Sequence, residues 1–137
     1  MDRLFLDANV LFSAAYGSPR IERFWSLQRD GHCVLLCSDY VCDEARRNLQ
    51  RPELRQRLKE KLDEALLVPE APGELCPIDV AAKDRAVVSA AVAAQATHLI
   101  TGDVRHFRAH YGRWIAGMVI LRPTDYLWKR NLTTETP

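Results

Sequence analysis

No run of apolar residues in this chain approaches the roughly 18 that a membrane span requires, so nothing in it reads as a transmembrane helix. The first apolar run, Leu4 to Leu6, is cut short by Asp7, too early for the hydrophobic centre of a signal peptide. A cytoplasmic protein is the expectation. Internal repeats are absent, and only the polar end NLTTETP looks frayed, which gives one domain over residues 1–130 and a flexible tail over 131–137. A dominant charge is missing too. The 19 Lys and Arg against 18 Asp and Glu leave a net charge of +1, which argues against coating nucleic acid by bulk attraction. Cys33, Cys37, Cys42 and Cys76 lack the C-x-x-C spacing of a zinc site. His32 beside Cys33 adds one donor, but buried thiols in a reducing compartment suit the pattern better.

What is present supports an ordered core: 47% of the 137 residues are hydrophobic and 27% charged, an ordinary globular balance. Short apolar runs at Leu4–Leu6, Val34–Leu36, Leu66–Val68, Leu99–Ile100 and Met118–Leu121 have the length of buried strands. Helical patterns lie between them. A helix starting at Pro19 and running to Arg29 is ended by Gly31, and Ser38 is placed to cap a helix carrying Val41, Ala45 and Leu49. Leu54, Leu58, Leu62 and Leu66 recur every four residues after Pro52, and KDRAVVSAAVAAQA is apolar nearly all round. Strands alternating with helices predict an α/β fold, a single three-layer α/β/α domain around a parallel sheet of about five strands.

Asp7 and Asp103 fall at the carboxyl ends of the first and fourth strand runs, where open α/β sheets bind ligands, and they face one crevice if those strands are neighbours. Glu44 borders the buried stripe of its helix, whereas Asp43 next to it turns outward, and Asp84 opens the apolar helix on the face of Val88 and Ala91. Each acid also has a local explanation: an Asx turn at Asp7, a turn cap at Asp103, a helix start at Asp84, a pairing of Glu44 with Arg46 or Arg47. Four carboxylates in one crevice would instead repel by about 4 kcal/mol per pair roughly 4 Å apart, and such a set calls for Mg²⁺ or Mn²⁺. With four acids so engaged, 19 basic residues face 14 remaining acids, a basic outer surface.

LFLDANV, DYVCDEARRNL, KDRAVVSAAVAAQATHLITGD and TGDVRHF together resemble the acidic motifs of the PIN domain, the metal-dependent ribonuclease fold of VapC-type toxins. The resemblance spans almost the whole chain. It implies a first strand beside the fourth, and Asp7, Glu44, Asp84 and Asp103 as catalytic tetrad and ligands of one or two Mg²⁺ or Mn²⁺ ions. It also implies Asn9 and Thr101 as hydrogen-bonding supports, RNA cleavage leaving a 5′-phosphate, a homodimer and a small antitoxin partner. The chain departs from the family at His106, where many PIN domains carry a further acid. Asp79 is the fallback should the register of the Asp84 helix be wrong.

Arg105, His106 and Arg108 follow Asp103 directly and are candidates for holding RNA, with Arg46, Arg47, Lys83 and Arg85 further out. Tyr16 and Tyr111 are placed to stack on bases. Phe107 reads as core, and Phe12, Phe24, Trp25 and Trp114 as core or subunit contacts. Two alternatives stand beside the nuclease: a catalytically inactive RNA- or partner-binding module, and a haloacid-dehalogenase-like phosphatase, from which the chain departs by carrying Asn9 where a second aspartate is needed.

Overall fold

The computed structural model describes residues 1–135. The strands are β1 (Asp2–Leu6), β2 (Cys33–Cys37), β3 (Leu66–Leu67), β4 (His98–Ile100), β5 (Trp114–Ile115) and β6 (Met118–Leu121). The helices are α1 (Ala8–Ala15), α2 (Pro19–Arg29), α3 (Asp39–Asn48), α4 (Pro52–Asp63), α5 (Ala82–Ala93), α6 (Val104–Phe107) and α7 (Pro123–Glu135). They flank one sheet of order β3-β2-β1-β4-β6-β5. Every pairing is parallel except β5 with β6. The winding reverses between β1 and β4, whose register pairs Leu6 with Ile100. Asp7 and Thr101 are the next residues on, side by side at the mouth of the crevice.

Local chemistry explains the boundaries. Pro19 sits in the first turn of α2 behind Ser18, whose hydroxyl accepts from the Ile21 amide, and Gly31 at φ +80° takes the left-handed turn that follows the helix. Ser38 holds the N-cap position of α3 without a side-chain cap bond; its hydroxyl is buried without a hydrogen-bond partner. Leu54 and Leu58 are buried, as the four-residue recurrence requires. The helix stops at Asp63, however, and Leu66 passes into β3, half exposed.

Two features differ from the sequence expectation. The sheet has six strands instead of about five, because Trp114–Ile115 turns back through the Ala116–Gly117 pair, both at positive φ, to add an antiparallel edge. A two-residue strand with Trp114 at 74% exposure has no apolar pattern to betray it. Trp114 is accordingly no part of the core. α7 runs from Pro123 to Glu135, and residues 136 and 137 lie outside the described residues. Tyr126 anchors it, stacking on Phe24 at 5.7 Å and donating to the Asp2 carboxylate at 2.7 Å.

The four cysteines are free thiols, three of them buried, as read from their spacing. Among the described residues, no helix is long and apolar enough to cross a membrane.

Candidate active site

Asp7 ends β1 and caps α1 with no loop between, so its side chain is fixed from two directions. One oxygen accepts from the Ala8 amide at 2.8 Å, the Asx-type cap; the other accepts from the Thr101 hydroxyl at 2.8 Å and the Asn9 amide at 3.4 Å. Thr101 is fully buried, and its oxygen also accepts from the Asp103 backbone amide at 3.1 Å and from Asn9 Nδ2 at 3.2 Å. Asn9 Oδ1 in turn accepts from the Gly102 amide at 2.8 Å. A Cβ on Gly102 would stand 3.3 Å from that oxygen, which favours glycine in the middle of TGD. Asn9 and Thr101 thus tie the end of β1 to the end of β4.

The remaining acids arrive from three elements. Asp84 lies in the first turn of α5, 6% exposed, and its Oδ2 has no hydrogen-bond partner, so a helix-start preference leaves this atom unexplained. Glu44 is half-buried on α3. Of the two arginines read as its surface partners, Arg46 instead binds Asp43 at 2.6 Å. Asp103 caps α6, accepting from the His106 amide at 3.1 Å. All four acids line one cleft of about 460 Å³ with Asn9, Phe12, Asn48 and Lys83. Asp79, the fallback, is exposed and not among the lining residues.

Burial shows in the acidities. Burial pushes Asp7 up to about 6, against the lowering influence of the Thr101 and Ala8 hydrogen bonds and with Glu44 and Asp84 adding to the rise. Burial also raises Asp84, opposed by His106 and Lys83 and reinforced by Asp103 and Glu44. Burial, more than the neighbouring carboxylates, is what both residues report.

The sequence profile of the PIN domain matches residues 3–105, most of the chain and all four acids. The chain belongs to the PIN domain family. PIN domains are as a rule nucleases that use divalent metal ions.

Solved structures with the same PIN fold include VapBC2 from Rickettsia felis bound to a DNA fragment from their promoter, at TM-score 0.65 and 14% identity over 88% of this chain and 98% of that one. FitAcB from Neisseria gonorrhoeae aligns at TM-score 0.55 and 17% identity, over 88% and 98%. VapC20 of Mycobacterium tuberculosis, a sarcin-ricin loop cleaving toxin, aligns at 0.53 and 13%, over 73% and 91%. No curated protein matches the chain.

The donor chemistry of this PIN domain suits a hard divalent ion: four carboxylates on one cleft, with the buried Asp84 Oδ2 lacking a partner. Among the described residues no three His, Cys, Asp or Glu side chains close round a single point. Mg²⁺ keeps several waters and needs only one or two carboxylates directly, so the open spacing is compatible with it. One neighbour is unlike the rest. His106 Nδ1 stands 2.7 Å from Asp103 Oδ2 and 3.2 Å from Asp84 Oδ2, within ion-pair distance of both but aligned for a hydrogen bond with neither.

A second cleft of about 650 Å³ adjoins the first, sharing Lys83 and Asp103 and adding Gly102, Arg105, His106 and Arg108. The predicted RNA-holding residues therefore lie together beside the acids. Arg46 and Arg47 line a separate groove with Tyr40, Asp43 and Arg55.

Sequence reasoning missed Phe12 and Asn48 as lining residues. The signal was there: Phe12 lies three residues after Asn9 and Asn48 four after Glu44, each on the same helix face. Of the aromatics, Phe107 is fully buried as expected, Tyr16 is exposed against Phe12 at 4.9 Å between ring centroids, and Tyr111 donates to the Thr101 carbonyl at 3.3 Å.

Proposed function

We propose that this PIN domain is a divalent-metal-dependent endoribonuclease, the toxin of a toxin–antitoxin pair in the cytoplasm. The observation that carries the reading is the single cleft lined by Asp7, Glu44, Asp84 and Asp103 at the point where the sheet winding reverses. Asp7, Asp84 and Asp103 would hold one or two Mg²⁺ or Mn²⁺ ions. A bound divalent ion supplies Lewis-acid charge at the phosphate and lowers the pKa of water at neutral pH.

The chain's own groups do the positioning. Asp7 is kept in one rotamer by Ala8, Asn9 and Thr101 before anything binds, so little ordering remains to be done. Glu44, half-exposed on the wall supplied by α3, is free to accept a hydrogen bond from the attacking water and aim it at the phosphorus. Lys83, Arg105 and Arg108 offset the charge of the phosphates that flank the scissile one. The bond to the 3′ oxygen breaks, leaving a 5′-phosphate.

Support for an antitoxin comes from the likeness to VapBC2 and FitAcB, and the exposed Trp114 and Trp128 are apolar surface that an antitoxin or a second copy of the chain would cover. No observation favours the phosphatase: Asn9, in the place of its second acid, is spent on Gly102, Thr101 and Asp7.

Incubating the purified protein with end-labelled single-stranded RNA in Mn²⁺, Mg²⁺ or chelator tests the activity. Internal cleavage in either metal and none in chelator is the expected result. Binding without cleavage in every condition would replace this reading with the inactive RNA-binding module.

A further inference from the structure

Resting on the reading of the acidic cleft as a metal site, we propose that the His106 imidazole occupies the space between Asp84 and Asp103. It must swing aside before a divalent ion can use both carboxylates. The ring is thus an internal competitor of the metal.

The argument begins with the contacts. A single nitrogen, Nδ1, lies 2.7 Å from one carboxylate oxygen and 3.2 Å from the other, so an ion using both oxygens must either take the ring nitrogen as a third ligand or displace it. Among the described residues no three such donors close round a common point, so the ring is not placed as a ligand and displacement is the alternative left. The position is set by the chain: Phe107 is buried in the core, and the His106 amide is bonded to Asp103 Oδ1, which leaves the adjacent side chain directed back over the acids.

The ring is also easy to displace. Neither close approach has the alignment of a hydrogen bond, and misaligned contacts are weak. The His106 side chain retains 29% exposure and also borders the neighbouring basic cleft of about 650 Å³, which gives the ring open space to turn into. Two ring positions follow, one covering the carboxylates and one uncovering them. An ion that binds only the uncovered state has its affinity reduced by the fraction of molecules in that state; if that is about a tenth, removing the ring strengthens binding roughly tenfold.

The experiment is Mn²⁺ titration of the intact protein without RNA, followed by the loss of the free-ion electron paramagnetic resonance signal, for wild type, His106→Ala and His106→Gln at one fixed pH. Circular dichroism first establishes that each variant is folded, and the glutamine variant serves if the alanine variant is not. Tighter Mn²⁺ binding by the variants is expected, by roughly tenfold for alanine. Pulsed spectra of wild type with Mn²⁺ bound are expected to show no imidazole nitrogen coupled to the metal. Equal or weaker binding by the variants, or nitrogen coupling in wild type, overturns the inference and leaves the metal site standing. Absence of Mn²⁺ binding by wild type and variants alike overturns the site and the inference together.

Discussion

Asp7→Asn is expected to abolish RNA cleavage and, in the absence of metal, to make the protein more stable. The first effect follows from removing the charge at the one position held by three hydrogen bonds at the winding reversal; a loss of about a hundred- to a thousandfold in rate is the scale for removing a preorganised electrostatic group. The second follows from linkage. The Asp7 acidity is raised from 3.8 to about 6 in the folded chain, so the folded state binds the proton more tightly than the unfolded state. Below pH 4 both states are protonated and there is no cost. As pH rises from about 4 to about 6 the folded state loses stability, and above pH 6 the full cost of the buried charge, about 3 kcal/mol, is present. Asparagine removes that charge but gives up one acceptor oxygen toward Ala8 or Thr101, which returns part of the gain. Urea unfolding at pH 7.5 should therefore show the variant more stable by about 1–2 kcal/mol, with the order reversing below pH 4, where only the lost hydrogen bond remains and the variant is less stable by about 1–2 kcal/mol. A structural aspartate would behave oppositely, losing stability on substitution at pH 7.5.

Phe107→Ala carries the largest stability loss expected here. The side chain is fully buried and is the anchor of the four-residue helix α6 that presents Asp103 and His106 to the cleft. Truncating a core phenylalanine costs about 3–5 kcal/mol through lost burial and the cavity left behind. Because α6 is too short to hold itself, the loss also loosens Asp103, and Mn²⁺ affinity should fall with stability. Urea midpoints and Mn²⁺ titration read the two effects separately. Unchanged stability with weakened RNA binding would instead make Phe107 a base-stacking platform.

Much of this site was readable before the fold because its logic is local. The change from LFL to DAN ends a strand and starts a helix in one step, so Asp7 has to sit at the strand's carboxyl end. The apolar run of α5 with Asp84 in its first turn, and TGD after HLI, carry their positions in the same way. The adjacency of β1 and β4 was not local; it needed the resemblance to a family, and the pairing of Leu6 with Ile100 supplies it. What sequence did not yield depends on long-range packing. β5 is two residues held by the turn after it, and α7 is secured by Tyr126 reaching Asp2 at the other end of the chain. The place of His106 between two carboxylates depends on α5 and β4 meeting in space, which no spacing along the chain reveals.

Anomalous diffraction from crystals soaked in Mn²⁺ tests the account at its centre. A Mn²⁺ peak in the cleft walled by Asp7, Glu44, Asp84 and Asp103, absent from Asp7→Asn crystals treated identically, is the result expected. Saturating Mn²⁺ that leaves this cleft without a peak, or that appears only elsewhere on the protein, would contradict it.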